Sequence, residues 1–218
     1  AVVTDVHAPQ PRLDFGAVVR AVDAARPDLV LVVGDAINAR GDEGLVEMYA
    51  PLRARHGKFA TAGNWENWGR VRRSEIAAHY GRADTVWLDN ASTDIDALRV
   101  HLIGIDESLN GWPEWSLLDP VPTDRPTILL HHSPAAFDRL DLPAGACVLM
   151  LAGHTHGGQV SPFGLPMVLP PGCGRYLQGL YRRGPHRMYV SRGVGNSHVP
   201  FRVGARPELA LVEVRRRG

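Results

Sequence analysis

The sequence has little that could brace a fold covalently or hold it in a membrane. It contains two cysteines in 218 residues, Cys147 and Cys173, and neither belongs to a CxxC pair. Cys147 lies in the apolar run CVLML, so we expect a small buried hydrophobe and no structural disulfide. No apolar run reaches the roughly 20 residues that a membrane-spanning helix needs. Stability must come from an ordinary hydrophobic core.

An excess of charge of either sign is also missing. The chain has 24 basic and 23 acidic residues, a formal net charge of +1. This balance excludes a strong positive field, and we expect no nucleic-acid partner. The length suits a single domain over residues 1–218. We expect a cytoplasmic location, and a segment upstream of Ala1 that is absent from this chain is one route to peripheral membrane association.

Short apolar runs alternate with helix-length segments along the chain. AVVT at the start is followed by an amphipathic stretch at 13–25 and by LVLVVG at 29–34. This alternation predicts an α/β fold. Further helices are expected at 45–55, at 70–80 and after Pro134. Further strands are expected at KFATA, VHLIGI, TILL, CVLML, MYV and LALVEV. The Gly- and Pro-rich segment 161–184 is typical of a long irregular connection.

Five of the apolar runs end next to residues that can bind a metal ion. These residues are Asp5, Asp35, Asn64, the pair His131 and His132, and His154. Because ligands of open α/β sheets collect at the carboxyl ends of strands, we expect these side chains to surround one cleft. Carboxylate, amide and imidazole groups without thiolates suit Mn, Fe, Zn or Mg, and they argue against a structural zinc site.

The spacing within the motifs adds detail. Asp5 and His7 are two residues apart, as are His154 and His156, so an extended backbone would point both members of each pair the same way. Asp35, directly after Gly34, is the carboxylate best placed to bridge two ions, because each of its oxygens can face one ion.

Taken in order, these motifs resemble those of the calcineurin-like metallophosphoesterase superfamily. They are Asp5-x-His7, Gly34-Asp35, Gly63-Asn64-x-Glu66, His132 and the GHTHGGQ run at 153–159. With GLY at 179–181 and YVSRG at 189–193, the chain is similar to a bacterial branch of that superfamily. Members of the branch often carry an N-terminal membrane segment and include phosphodiesterases and lipid-precursor pyrophosphatases.

The resemblance implies a four-layer α/β/β/α sandwich that binds two divalent ions, with Mn favoured. One ion would be held by Asp5, His7 and His156, the other by Asn64, His132 and His154, and Asp35 would be shared. His132 is preferred over His131 because the family usually shows His-x-Pro at this motif. The implied activity is hydrolysis of a small-molecule or lipid-linked phosphoester, most simply as a phosphodiesterase or pyrophosphatase, by a water held between the ions.

The sequence departs from the family at Trp65, where a histidine normally assists the leaving group. Indole has no proton that titrates near neutral pH, so Trp65 cannot be a general acid. We therefore name His131, together with Asp35, as a candidate catalytic residue, although His131 could equally be a core histidine or the partner of a ligand. Trp65 and Arg192 are candidate substrate contacts; a loop-anchoring indole and a simple turn after a strand are the competing interpretations.

Two other functions stay open. The loss of the motif histidine is compatible with a metal-binding interaction module in which catalysis is lost or residual. A metal-dependent amidase or deacetylase could use similar ligands, but the combination of GHTH with Gly63-Asn64 disfavours it.

Overall fold

The structure is a computed structural model that describes residues 1–9, 13–38, 44–69 and 71–215. Its α-helices are α1 Phe15–Ala25, α2 Leu45–Tyr49, α3 Asn64–Trp68 and α4 Arg73–Arg82. Its strands are β1 Val2–Val3, β2 Val30–Val33, β3 Lys58–Thr61, β4 Val86–Trp87, β5 Ala91–Ile95, β6 Val100–Gly104, β7 Thr127–Leu130, β8 Val148–Ala152, β9 Gly179–Arg183 and β10 His186–Val190. Short 3-10 helices lie at Asp96–Leu98, Trp115–Leu118, Pro134–Arg139, His156–Gly158 and Pro162–Gly164.

The strands form two sheets. The first has the order β1-β2-β3-β4 and is parallel throughout. The second has the order β5-β6-β7-β8-β10-β9, with a parallel centre and an antiparallel pair at each edge. The carboxyl ends of the parallel strands are therefore the places where loops can gather side chains.

Three apolar clusters separate four layers. The central cluster joins the sheets, with Leu31 from the first and Leu130 from the second. A second cluster packs α1, α2 and α4 onto the outer face of the first sheet. A third covers the outer face of the second sheet, where the 3-10 segment Pro134–Arg139 supplies Phe137 in place of a regular α-helix. The α/β sandwich expected from the sequence is confirmed, with a fourth layer that is largely irregular.

Several element boundaries differ from the predictions. The helix expected at 45–55 ends at Tyr49, because Pro51 cannot continue it. The helix expected at 70–80 begins at Arg73, and position 70 lies outside the described residues. LALVEV forms no strand and makes only an isolated bridge between Ala210 and Val2. The connection at 161–184 contains β9, which pairs with β10.

The cysteines are both free, and the prediction for Cys147 was wrong. Cys147 is exposed at the position just before β8, whereas Cys173 is buried. The prediction of no disulfide is confirmed for this pair. Within the part of the chain that the structure describes, no helix combines the length and apolarity needed to cross a bilayer.

Candidate metal centre

The strand-end residues predicted from the sequence converge on one site. Asp5, Asp35 and Asn64 follow β1, β2 and β3 of the first sheet, and His132 and His154 follow β7 and β8 of the second. All five are buried. Because the ends of both sheets contribute, the site lies where the two halves of the sandwich meet.

One group of possible ligand atoms comes from Asp5, His7 and His156, and these atoms lie within 4.8 Å of one another. The Nε2 atoms of His7 and His156 are 2.9 Å apart. His156 Nε2 also lies 3.3 Å from Asp5 Oδ1. Two imidazole nitrogens this close cannot both carry a proton. Their lone pairs and the carboxylate therefore suit a cation placed among them.

A second group comes from Asp35, His132 and His154, again with ligand atoms within 4.8 Å. His132 Nδ1–H donates to Val33 O at 2.8 Å, which leaves Nε2 free to face Asp35 Oδ2 at 3.1 Å. His154 Nε2–H donates to Pro171 O at 2.6 Å, which leaves Nδ1 as the free donor atom. A backbone carbonyl that fixes one ring nitrogen while the other stays free is typical of metal-binding histidines.

Asp35 lies between the two groups. Its Oδ2 is 3.1 Å from His132 Nε2 and 3.7 Å from His7 Nε2. Each group combines side chains that follow strands of both sheets. The Asp35 carboxylate lies close to a histidine of each group.

The backbone at the site is not extended, so the condition on which the paired side chains were expected to chelate is not met. Asp5 and His7 still fall in one group, whereas His154 and His156 fall in different groups. The residues Asp5, His7, Asp35, His154 and His156 all have positive φ, between 51° and 71°. A left-handed conformation costs a non-glycine residue on the order of 1–3 kcal/mol, and Asp and His tolerate it better than most. Tight turns, rather than strand geometry, aim these side chains at one another.

The side chain of Asn64 indicates whether a cation fits this site. Its Oδ1 is buried and has no hydrogen-bond partner among the described residues, which is unusual for a buried amide. Burial alone would lower the pKa of His132, but the carboxylates of Asp35 and Asp5 raise it to about 10. The site thus attracts positive charge and offers oxygen and nitrogen donors, a set that fits divalent ions.

Glu66 ties the loops of the first sheet together. Its buried carboxylate accepts hydrogen bonds from the N–H groups of Asp35 at 2.9 Å, Ala36 at 2.7 Å and Gly63 at 2.7 Å. Burial and the adjacent Asp35 carboxylate raise the pKa of Glu66 to about 7. Glu66 therefore holds the turns that carry Asp35 and Asn64.

Replacing Glu66 with Gln is expected to lower the free energy of unfolding by about 2 kcal/mol or more, because an amide cannot satisfy all three donors. Mn affinity should fall about 10- to 100-fold through misplaced ligands. Urea unfolding and calorimetric titration measure the two effects, with the exposed Glu47→Gln on α2 as control. Unchanged stability and affinity would show that the three hydrogen bonds are dispensable.

His131, a predicted catalytic candidate, has partners outside both groups. Its Nδ1–H donates to Ile105 O at 3.3 Å and its Nε2 accepts from the Ser108 hydroxyl at 2.8 Å. Burial lowers the pKa of His131 to about 4, so the ring is neutral near pH 7. A neutral ring whose N–H is already donated is a poor proton donor. A catalytic role for His131 stays a prediction with this geometry against it.

Replacing His132 with Ala is expected to remove one of two bound ions. His132 Nε2 faces Asp35, and within the described residues Asp35 and His154 alone complete the second group. His131→Ala should leave the metal content unchanged. Elemental analysis of Mn-loaded, dialysed protein measures both. The reverse pattern would exchange the roles of the two histidines.

Trp65 lies against the first group. Its backbone N–H donates to Asp35 Oδ1 at 2.9 Å, and its ring meets that of His7 edge-on, with ring centroids 5.7 Å apart. His198, which is exposed, lies with its ring 5.6 Å from that of Trp65. The sequence offered no signal for His198, because nothing in a loop more than 100 residues away indicates this contact. Substrate binding by Trp65 stays a prediction.

Two arginines hold the loop that follows β10. Arg192, a predicted phosphate contact, donates from Nε to Glu208 Oε2 at 2.6 Å, and its contact with substrate stays a prediction. Arg202 was missed by the sequence analysis; it donates to His156 O at 3.0 Å and to Gly195 O at 2.9 Å. Burial lowers the pKa of Arg202 to about 10. Arg202 therefore fixes the turn that carries His156.

Comparison with known proteins agrees with this geometry. A family model described as calcineurin-like phosphoesterase matches residues 1–158. The chain is 30% identical over 207 residues to the uncharacterized metallophosphoesterase YkuE of Bacillus subtilis, covering 91% of this chain and 71% of that protein. It is 29% identical over 203 residues to the phosphodiesterase YaeI of Escherichia coli, covering 87% and 71%.

A bovine relative named transmembrane protein with metallophosphoesterase domain is 31% identical over 216 residues. That match covers 88% of this chain, and the chain spans 46% of the bovine protein. The family model covers most of the chain, and it includes both groups of possible ligands. The chain therefore belongs to the calcineurin-like phosphoesterase family, a family of metal-dependent phosphoester hydrolases.

Proposed function

We propose that this chain is a phosphodiesterase that works with two divalent metal ions. One ion would be held by Asp5, His7 and His156, and the other by Asn64, His132 and His154, with Asp35 shared. The observation that carries the proposal is the position of Asp35, whose Oδ2 is within 3.7 Å of a histidine from each group. A single ion would use one group and leave the buried donors of the other unpaired.

When bound, two such ions would stabilise charge on the phosphoryl oxygens and activate a water molecule. The chain's own residues do the rest. Asp5 accepts hydrogen bonds from the backbone N–H of His154 at 3.0 Å and from the Thr4 hydroxyl at 2.8 Å, so its carboxylate is oriented before any ligand arrives. Glu66 and Arg202 do the same for the turns of Asp35 and His156. Such preorganisation is the protein's main contribution to electrostatic catalysis.

The proton supply is the least conventional part of the proposed mechanism. Trp65 offers none, and His131 has both nitrogens engaged. The exposed His198 beside Trp65 is the imidazole best placed to donate a proton to a departing oxygen at the rim of the site. Diesters and pyrophosphates with stabilised leaving groups need this help least, which supports them as the substrate class.

The name of one relative and the chemistry of the ligand atoms support the choice of substrate and metal. The Escherichia coli relative carries the name phosphodiesterase, and the oxygen and nitrogen donors without thiolate suit Mn, with Fe, Zn or Mg as alternatives. Either a small-molecule or a lipid-linked phosphoester is proposed as the substrate, and no nucleic-acid partner is proposed.

Turnover of bis(p-nitrophenyl) phosphate by metal-stripped protein resupplied with Mn tests the proposal. We expect activity that depends on added Mn, saturates at two ions per chain and is abolished by a chelator. Parallel assays with Fe, Zn and Mg rank the ions, and p-nitrophenyl phosphate separates diesterase from monoesterase activity.

A metal-binding interaction module is the second candidate function, because Trp65 stands where a proton donor would be expected. The same assay distinguishes it. Binding of two ions without turnover of any diester, monoester or pyrophosphate would favour the interaction module over the enzyme.

A further inference from the structure

Apolar side chains project into solvent from two segments that follow the GHTHGGQ run. We call them the apolar ridge: Phe163, Leu165, Met167, Val168, Phe201 and Val203. Each of these residues is at least 43% exposed, and Phe163 is fully exposed. The two segments are joined, since Ser161 N–H donates to Val203 O at 2.7 Å and Met167 N–H donates to Val160 O at 3.0 Å. Contiguous exposed apolar surface of this kind usually marks a binding site.

The ridge is built onto the metal centre. Gln159, three residues after His156, donates from Nε2 to Ser197 O at 2.8 Å and to Val199 O at 2.9 Å. Arg202, between two ridge residues, donates to His156 O at 3.0 Å. What binds the ridge is therefore brought close to the ligand-bearing turns.

Phe163 occupies the tip of the first segment in a strained conformation. Its φ is 57°, in the left-handed region that bulky side chains rarely adopt. The fully exposed ring gains no packing in return. A strained and unpacked aromatic side chain contributes nothing to the folded monomer, so its use is expected to lie outside it.

The charge around the ridge distinguishes between partners. Residues 142–207 contain seven arginines and no aspartate or glutamate. Two of these arginines are paired with acids outside that range, Arg175 with Asp138 and Arg192 with Glu208. Arg206, three residues after Val203, is exposed. Projecting apolar side chains beside cations are typical of segments that enter the interface of an anionic membrane. A second copy of the chain would instead place like charges, the exposed Arg206 of each copy, beside the same interface.

We propose that the apolar ridge inserts into the headgroup region of an anionic lipid bilayer and holds the metal centre at the membrane surface. This docking uses residues of the folded domain itself and does not depend on the substrate of the site.

Co-sedimentation with vesicles tests the proposal. The Mn-loaded chain is expected to bind phosphatidylglycerol-containing vesicles and to bind pure phosphatidylcholine vesicles more weakly. The triple substitution Phe163→Ser, Leu165→Ser and Met167→Ser should lower the partition coefficient at least roughly tenfold. Arg206→Glu should lower binding to the anionic vesicles alone, by roughly tenfold. Phe163→Ser by itself should give a smaller loss in the same direction.

The control is the double substitution Leu180→Ser and Leu211→Ser, which removes two leucines exposed elsewhere on the surface. It should bind as the unsubstituted chain does, and all variants should keep their Mn content. Failure of the unsubstituted chain to bind anionic vesicles, or equal losses in the triple variant and the control, would overturn the proposal. A dimer in size-exclusion chromatography that the triple substitution converts to a monomer would do so too, since the ridge would then be a contact between copies.

Discussion

Replacing Asp35 with Asn is expected to lower kcat/KM toward bis(p-nitrophenyl) phosphate on the order of 10³-fold or more, because one carboxylate serves both groups of ligands. Its Oδ2 lies 3.1 Å from His132 Nε2 and 3.7 Å from His7 Nε2. Asparagine keeps the size of the side chain but offers one neutral oxygen. Its side-chain amide N–H would also point at the His132 and His7 nitrogens, whose lone pairs would otherwise bind a cation. We expect the loss in kcat to accompany a fall in bound Mn from two ions toward one or none.

Asp23→Asn is the matched control, since Asp23 is an exposed aspartate on α1 and belongs to neither group of possible ligands. It should leave kcat/KM and Mn content unchanged. Retention of two ions and of more than a tenth of the activity in the Asp35 variant would show that Asp35 does not serve both groups.

Activity is expected to fall steeply as the pKa of the leaving group rises. General acid catalysis contributes about 10² to 10⁴ in rate, and its share is largest for alkoxide leaving groups. With Trp65 in the position of the usual histidine and only the exposed His198 beside it, aryl diesters should exceed alkyl monoesters by up to about this factor when the chemical step limits the rate. A series of esters whose leaving groups span a wide range of pKa, assayed under single-turnover conditions, measures the slope.

Two substitutions identify the residue that donates a proton to the leaving group. Trp65→His is expected to recover part of the alkyl-ester rate, less than fully because the smaller ring leaves space beside His7. His198→Ala should steepen the dependence on leaving-group pKa and spare the aryl esters. Aryl and alkyl esters hydrolysed at similar rates by both the unsubstituted chain and the His198 variant would mean that neither Trp65 nor His198 accounts for the proton.

The framework of the site could be predicted because it follows from strand ends. Short apolar runs ending in Asp5, Asp35 and His154 indicate parallel strands whose loops meet, and the structure brings these residues together. The backbone conformation of the paired residues was predicted wrongly from their i, i+2 spacing. The spacing was interpreted as extended chain, whereas His154 has a left-handed φ of 71°. No local sequence pattern reveals this conformation.

The supporting residues could not be predicted, since their contacts span long stretches of sequence. Arg202 meets His156 across 46 residues, and His198 lies beside Trp65 although the two are far apart in the chain. Neither residue sits in a motif or a regular element. The prediction of a strand at LALVEV was wrong for a related reason. An apolar run becomes a strand only if a neighbouring strand can pair with it along its length.

Each group of ligands contains residues from both sheets, so bound metal could connect the two halves of a chain without disulfides. Bound ions would act as cross-links between the two halves of the sandwich, joining segments from Asp5 to His156 that are far apart in sequence. A cross-link of this kind restricts local opening of the domain without covalent chemistry. Amide hydrogen exchange in the turns after β1, β2 and β8 should consequently depend on metal far more than exchange in the helices packed on the outer face of the first sheet.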